Sequence, residues 1–146
     1  MSWIEEIKRK LHSSSGAGQA KAPRLRRAVN RTRDTLLADR LELAGESAAR
    51  TKGLLGRDRL TPGEGLWIFP CEGVHTFGMR FAIDLVYLDK HRRVRKVRHA
   101  VPPWRLSLCL TAESILELPA GVATQTETRK GDQIELIPIE DEAAQP

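Results

Sequence analysis

The segment 71–84 (CEGVHTFGMRFAID) carries a thiol, an imidazole, a hydroxyl, a thioether, a guanidinium and a carboxylate within fourteen residues. If residues 74–79 form a strand, His75 lies on an apolar face, which is typical of a half-buried histidine bonded to backbone or to a carboxylate. Alternatively, His75 lies in a cleft with Asp84 or Glu117 and acts as an acid, base or ligand near neutral pH. The candidate pocket comprises Cys71, His75, Thr76, Met79, Arg80, Asp84 and Glu117.

The two cysteines leave several roles open. Cys71 and His75 are four positions apart and could bind zinc with Cys109, but zinc needs three or four ligands with further support around them. A Cys71–Cys109 disulfide and a catalytic Cys–His pair are further alternatives. Because only one Cys-x-x-x-His pair exists and a proline precedes it, we expect two structural cysteines, no metal and no cofactor.

Two carboxylates occur inside apolar strands, where an unpaired charge would cost several kcal/mol if buried. Asp84 either caps a loop through backbone N–H groups or faces a polar pocket. Glu117 poses the same question, with Arg80 or Arg57 as a natural partner. A buried arginine–carboxylate pair would serve structure as readily as chemistry.

Basic residues raise the question of nucleic-acid binding. Six Lys or Arg residues fall within 90–98, on a predicted hairpin. Such a ridge is typical of a solvated edge that resists aggregation, with phosphate or anionic-lipid contact as the alternative. No interleaved aromatic residues accompany it, so nucleic-acid binding is only weakly supported. It would also use the arginines near the N-terminus, namely Arg24, Arg26, Arg27, Arg31 and Arg33.

The first twelve residues are predicted to form a basic amphipathic helix, followed by a flexible basic linker over 13–28. A short helix of this kind suits an anionic membrane surface or a groove on a partner. The alternative is a disordered tail with no role. The attachment residues would be Trp3, Ile4, Ile7, Lys8, Arg9 and Lys10.

Charge is divided unevenly along the 146 residues. Residues 1–33 hold nine basic and two acidic residues, a net charge of +7, whereas the remainder holds 15 basic and 17 acidic residues. The high pI therefore belongs to the N-terminal segment. There is no apolar signal region and no run of about 18 apolar residues, so we expect a cytoplasmic protein, with peripheral membrane contact as an option.

Short strands separated by turns predict one mainly β domain over 29–139, built as an antiparallel sandwich or barrel with one or two short helices. A polar tail follows over 140–146. A helix is expected over 46–60, and residues 29–44 are expected to form an extended ribbon. The predicted strands are 66–69, 74–79, 83–88, 93–100, 115–118 and 133–137.

Several sequence blocks together resemble the bacterial and archaeal family known as domain of unknown function number 192. The resemblance implies a jelly-roll-like β fold and brings no established reaction, substrate or cofactor. One departure is Ala82, where relatives often have proline. The blocks are 53–57 (GLLGR), 65–68 (GLWI), 71–89, 116–121 (LELPAG) and the Gly131–Asp132 turn.

These observations favour a non-catalytic module that binds a small ligand or a protein partner, aided by the basic N-terminal segment. No complete catalytic constellation is present, so the sequence leans away from an enzyme. The first alternative is a small hydrolase or lyase that uses His75 with Asp84 or Glu117. The second is nucleic-acid association through the basic N-terminal segment.

Overall fold

The computed structural model describes residues 25–44, 54 and 56–139. The predicted helix over 1–12, most of the linker, most of the predicted helix over 46–60 and the polar tail lie outside these residues. The described part of the 46–60 segment is irregular, with a turn in which the Arg57 N–H donates to the Leu54 carbonyl at 3.3 Å.

Nine strands and one short helix make up the described chain. They form a seven-stranded sheet with the order β6-β5-β8-β3-β2-β1-β9 and a separate two-stranded sheet of β4 and β7. The strands are β1 (Leu25–Asn30), β2 (Thr35–Leu43), β3 (Glu64–Ile68), β4 (Gly73–His75), β5 (Ile83–Leu88), β6 (Val94–Val101), β7 (Leu106–Leu108), β8 (Ser114–Pro119) and β9 (Ile134–Pro138), with α1 (Val122–Gln125) between the last two.

The main sheet curls so that its two edge strands meet. Arg93 and Gln133 form an isolated antiparallel bridge at the starts of β6 and β9. The Val94 N–H donates to the Asp132 carbonyl at 2.9 Å, and the Ile134 N–H donates to the Arg92 carbonyl at 3.0 Å. Strand twist accumulated over seven strands accounts for this partial closure, which protects the edges from pairing with other chains.

Each face of the main sheet buries its own apolar cluster. The inner face, inside the curl, joins residues of both edge strands, such as Val94 and Ile134, to central ones such as Leu116. The outer face carries residues such as Leu85 and Tyr87, and Val74 of the small sheet packs against it. The small sheet therefore covers part of the outer face.

Close packing on the inner face requires glycine at position 65. A Cβ atom there would lie 2.9 Å from Leu41 Cδ1 and 2.9 Å from Leu118 Cδ2, closer than carbon atoms approach. The glycine lets β3 lie tightly between β2 and β8.

Among the described residues, no helix is long and apolar enough to cross a membrane.

The expected mainly β fold is confirmed, and β5 has the predicted bounds. The sheet is mixed because β2 and β3 run parallel, whereas every other pair is antiparallel. β1 begins at Leu25, inside the segment expected to be a linker. The strand expected over 74–79 ends at His75, since the chain turns at residues 76–79. Neither β7 nor α1 was expected.

Candidate functional site

An exposed apolar surface covers the outside of the small sheet and the loops beside it. We call it the aromatic–leucine surface. Its side chains are between 39% and 73% exposed, although all are large and hydrophobic. Exposed apolar groups scattered singly need no explanation, but a contiguous group is typical of an interaction site. The members are Phe77, Trp104, Leu106, Leu108 and Leu110.

Three rings stacked in series form one half of this surface. His75 stacks on Phe77 with ring centroids 5.1 Å apart, and Phe77 stacks on Trp104 at 5.7 Å. The Phe77 N–H donates to His75 Nδ1 at 3.3 Å, which fixes the imidazole beneath the phenyl ring. The imidazole itself is buried, so this histidine supports the aromatic rings from below.

The leucine half follows from strand alternation. Leu106 and Leu108 point out of β7, whereas Ser107 between them points inward. Leu106 is opposite His75 across the β4–β7 pair, which joins the leucines to the stacked rings. The Tyr87 hydroxyl donates to Ser107 Oγ at 2.5 Å and ties β7 to the main sheet. Burial raises the pKa of Tyr87 to about 12, so this donor keeps its proton at neutral pH.

Thr76 holds the turn that presents Trp104. Its hydroxyl donates to the Pro102 carbonyl at 2.7 Å and accepts from the Arg105 N–H at 2.9 Å. Its carbonyl accepts from the Trp104 N–H at 3.1 Å. Trp104 has a φ of 65°, a left-handed conformation that costs a non-glycine residue about 1–2 kcal/mol. Strained residues of this kind concentrate at functional sites.

Three cations border the aromatic–leucine surface. Arg105 lies between Trp104 and the leucines in the chain and is exposed. Lys96 Nζ donates to the Leu108 carbonyl at 2.9 Å. Arg95 Nε donates to Thr111 Oγ1 at 3.3 Å, next to Leu110. The surface thus combines apolar area with a positive rim.

The basic run over 90–98 is not one ridge. Lys96 reaches β7 and Arg95 reaches Thr111 in the turn after it, whereas the Arg92 guanidinium lies over the Trp67 ring with its Cζ 4.5 Å from the centroid. Arg93 reaches the Gly131 carbonyl at 3.5 Å. The N-terminal arginines are also engaged, since Arg31 pairs with Glu135 and Arg33 Nε donates to Asp132 Oδ2 at 3.1 Å.

The structure separates the two carboxylates considered as partners for His75. Asp84 pairs across the sheet with Leu118 and Glu117 with Leu85, so the carboxylates lie on opposite faces. The Asp84 carboxylate accepts three backbone N–H groups, from Ala100 at 2.8 Å, Gly121 at 3.1 Å and Ala123 at 2.8 Å. Asp84 therefore caps a loop and the start of α1, while Glu117 is buried on the outer face.

The structure places the remaining predicted pocket residues in different surroundings. Met79 is buried in the outer-face cluster, where Cys71 also packs. Cys71 Sγ donates to the Gly73 carbonyl at 3.1 Å, and no disulfide joins it to Cys109. Arg80 is largely exposed and pairs with Asp58 at 2.6 Å, and Arg57 pairs with Glu42 at 3.4 Å, so neither arginine pairs with Glu117 as expected. Within the described chain, no group of three or more His, Cys, Asp or Glu side chains could hold a metal ion.

Sequence reasoning missed most of the aromatic–leucine surface. Of the predicted pocket residues, only His75 and Thr76 belong to this region, and they lie beneath the surface and support it. The missed signal is the segment 104–110 (WRLSLCL), where large apolar side chains alternate with Arg105, Ser107 and Cys109 directly after two prolines. Such alternation predicts a strand with one apolar face. That this face is left uncovered follows only from the packing of the small sheet.

Comparisons with known proteins agree on the fold and leave function open. The family model described as DUF192, Uncharacterized ACR, matches residues 28–136. A UPF0127 protein of Thermococcus sibiricus is 30% identical over 127 residues, covering 81% of this chain and 79% of its own. A UPF0127 protein of Pyrococcus abyssi is 28% identical, covering 75% and 96% respectively. A crystal structure of a protein of unknown function from Novosphingobium aromaticivorans has a TM-score of 0.67 at 23% identity, covering 85% of this chain and 99% of its own.

Proposed function

We propose, from the premise that the chain belongs to the uncharacterised family DUF192, that it is a non-catalytic module that binds a protein partner through the aromatic–leucine surface. The observation that carries the proposal is one exposed surface that contains three leucines and two aromatic rings, Phe77 and the strained Trp104. Burying large aromatic side chains is the main source of affinity in protein interfaces.

The partner that fits is a protein segment with apolar side chains and nearby carboxylates. Its apolar groups would cover Trp104 and the leucines, and its carboxylates would meet Arg105, Lys96 and Arg95. A second copy of this chain fits poorly, because it would bring like charges together across the interface. Tryptophan with basic residues also suits lipid headgroups, and binding to vesicles is therefore one of the outcomes that the test separates.

The basic segment over 1–12 is a second element of the proposal, supported by its sequence alone. An amphipathic helix with Trp3, Ile4 and Ile7 on one face would attach to a groove on a partner. Deleting residues 1–12 should leave peptide binding at the aromatic–leucine surface unchanged.

The test uses the full-length protein and an array of extended peptides in which leucine or phenylalanine is combined with glutamate, glutamine or lysine. We expect binding to apolar peptides with glutamate and at least tenfold weaker binding to those with lysine. Trp104→Ala should reduce the affinity about 30-fold, the size typical of a central aromatic contact. Leu36→Ser, which changes an exposed leucine on β2, is the matched control and should change the affinity less than twofold.

Three results would overturn the proposal. The first is equal binding of glutamate and lysine peptides. The second is binding to phosphatidylserine vesicles, with no peptide bound, that is lost in Trp104→Ala. The third is a dimer in sedimentation that Trp104→Ala dissociates, which would make the surface a contact between copies of this chain.

A further inference from the structure

Two arginines meet one tryptophan on the inner face of the main sheet. Arg26 of β1 has its guanidinium Cζ 5.3 Å from the centroid of the Trp67 ring, and Arg92 of the β5–β6 turn has its Cζ 4.5 Å from the same centroid. The two Cζ atoms are therefore no more than about 10 Å apart. This cluster is separate from the aromatic–leucine surface, because Trp67 belongs to the inner-face core.

The cluster holds hydrogen-bond donors with no acceptor. Trp67 Nε1 and Arg26 Nε are shielded from solvent and make no hydrogen bond within the part of the chain that the structure describes. Trp67 is buried, with only 5% of its surface exposed. A buried donor normally has a partner, because leaving it without one costs its full hydration.

The two guanidinium groups have no salt-bridge partner among the described residues, although the charge of Glu113 acts on Arg92. Burial lowers the pKa of Arg92; the charge of Glu113 raises it and the charge of Arg26 lowers it again. Two like charges held near each other in a partly buried place repel, and a bound anion would relieve that repulsion.

The backbone at Arg92 is strained. Its φ is 64°, at the position of the hairpin where glycine or asparagine is usual. The Arg92 N–H donates to the Asp89 carbonyl at 3.0 Å, so the turn holds the residue in this conformation. A large side chain is placed here in spite of that cost, and it points over Trp67.

We propose that Arg26, Arg92 and Trp67 form a binding site for an oxyanion, a carboxylate or phosphate group. The guanidinium groups match such oxygens in charge and donor geometry. The ligand could be dissolved, or it could be a carboxylate of this chain. The Ile139 N–H donates to the Leu25 carbonyl at 3.1 Å, next to Arg26, and the sequence continues with Glu140, Asp141 and Glu142.

The test follows the indole N–H signal of Trp67 in nitrogen–proton spectra of the full chain. The protein has three tryptophans, and Trp3→Phe and Trp104→Phe assign the signal without changing the site. Sodium phosphate and sodium succinate are titrated against sodium chloride at equal ionic strength. We expect a saturable shift with phosphate or succinate only. Arg92→Gln should weaken binding at least tenfold, whereas Arg93→Gln, the neighbouring exposed arginine, should change it less than twofold.

A second variant distinguishes the two sources of the anion. If the acids that follow Ile139 occupy the site, the triple variant Glu140→Gln, Asp141→Asn, Glu142→Gln shifts the Trp67 signal before any titration and then binds phosphate more tightly. If the site instead binds an anion from solution, the triple variant gives the same Trp67 signal and the same phosphate affinity as the natural chain. The proposal is overturned if the signal shows no specific saturable shift in either protein. It is also overturned if a folded Arg92→Gln, or a folded Arg26→Gln in its place, binds as the natural chain does.

Discussion

At the scale of single residues, the surroundings of a polar side chain decide its role. Asp84 and Glu117 both interrupt apolar strands, and both are fully buried. Asp84 meets three backbone N–H groups at the Ala100 bend and the start of α1, which makes it a structural cap. Thr76 likewise serves the backbone, by holding the turn that carries Trp104.

Replacing Asp84 by asparagine should destabilise the protein by about 2 kcal/mol, because an amide has one acceptor oxygen and at least one backbone N–H loses its charged acceptor. The measurement is the free energy of unfolding in urea. Asp58→Asn removes a carboxylate from an exposed ion pair and should cost less than about 0.5 kcal/mol. Equal losses in the two variants would contradict the capping role of Asp84.

At the scale of elements, a polar network fixes the end of the sheet where β1, β2 and β9 meet. Asp132 Oδ2 accepts from Asn30 Nδ2 at 2.9 Å, from Arg33 Nε at 3.1 Å and from the Arg129 N–H at 3.0 Å. Burial acts to raise the pKa of Asp132, but these hydrogen bonds outweigh it and the pKa is lowered. The ionised carboxylate therefore stabilises the folded state.

The stabilisation by Asp132 should depend on pH in a defined window. Because its folded pKa lies below the unfolded value of about 4, the contribution is complete above that value and is lost as the pH falls through the folded pKa. The difference in unfolding free energy between the natural protein and Asp132→Asn should be constant from about pH 5 to 8 and should shrink below about pH 4. A difference that stays the same down to about pH 2 would exclude this role.

At the scale of the whole molecule, the curl of the main sheet decides which surfaces face solvent. Because the starts of β6 and β9 meet, the inner face is closed there and Trp67 with its two arginines lies inside the curl. The small sheet covers part of the outer face and turns its own outer side to solvent. The two proposed sites therefore lie on opposite sides of the main sheet, one inside its curl and the other on the small sheet that packs on its outer face.

Closure of the curl should be visible in native-state hydrogen exchange. The amides of Val94 and Ile134 donate across the β6–β9 junction, so they should exchange as slowly as amides in the central strands β5 and β8. The amide of Ser107, on the small sheet, should exchange faster, since that sheet has only two strands. Fast exchange of both the Val94 and the Ile134 amides would mean that the β6–β9 junction opens and that β6 and β9 behave as ordinary edge strands.

Much of the fold could be predicted from sequence because runs of β-forming side chains and turn residues act locally. Residues 83–88 are such a run, interrupted only by Asp84, and the Asp89–His91 turn lies between this strand and β6. Parallel pairing of β2 with β3 could not be predicted in this way, because the direction of pairing depends on how the strands pack in the whole sheet. β7 has only three residues, and the alternation over 104–110 that indicates it was overlooked.

By itself, the sequence determined the mainly β character, most strand positions and the family. These follow from side-chain hydrophobicity and local backbone preference. Only the tertiary structure decided that the two carboxylates lie on opposite faces, that Arg26 and Arg92 meet at Trp67, and that the leucines after Trp104 face solvent. The register between distant strands sets those positions, and register depends on the packing of the whole sheet.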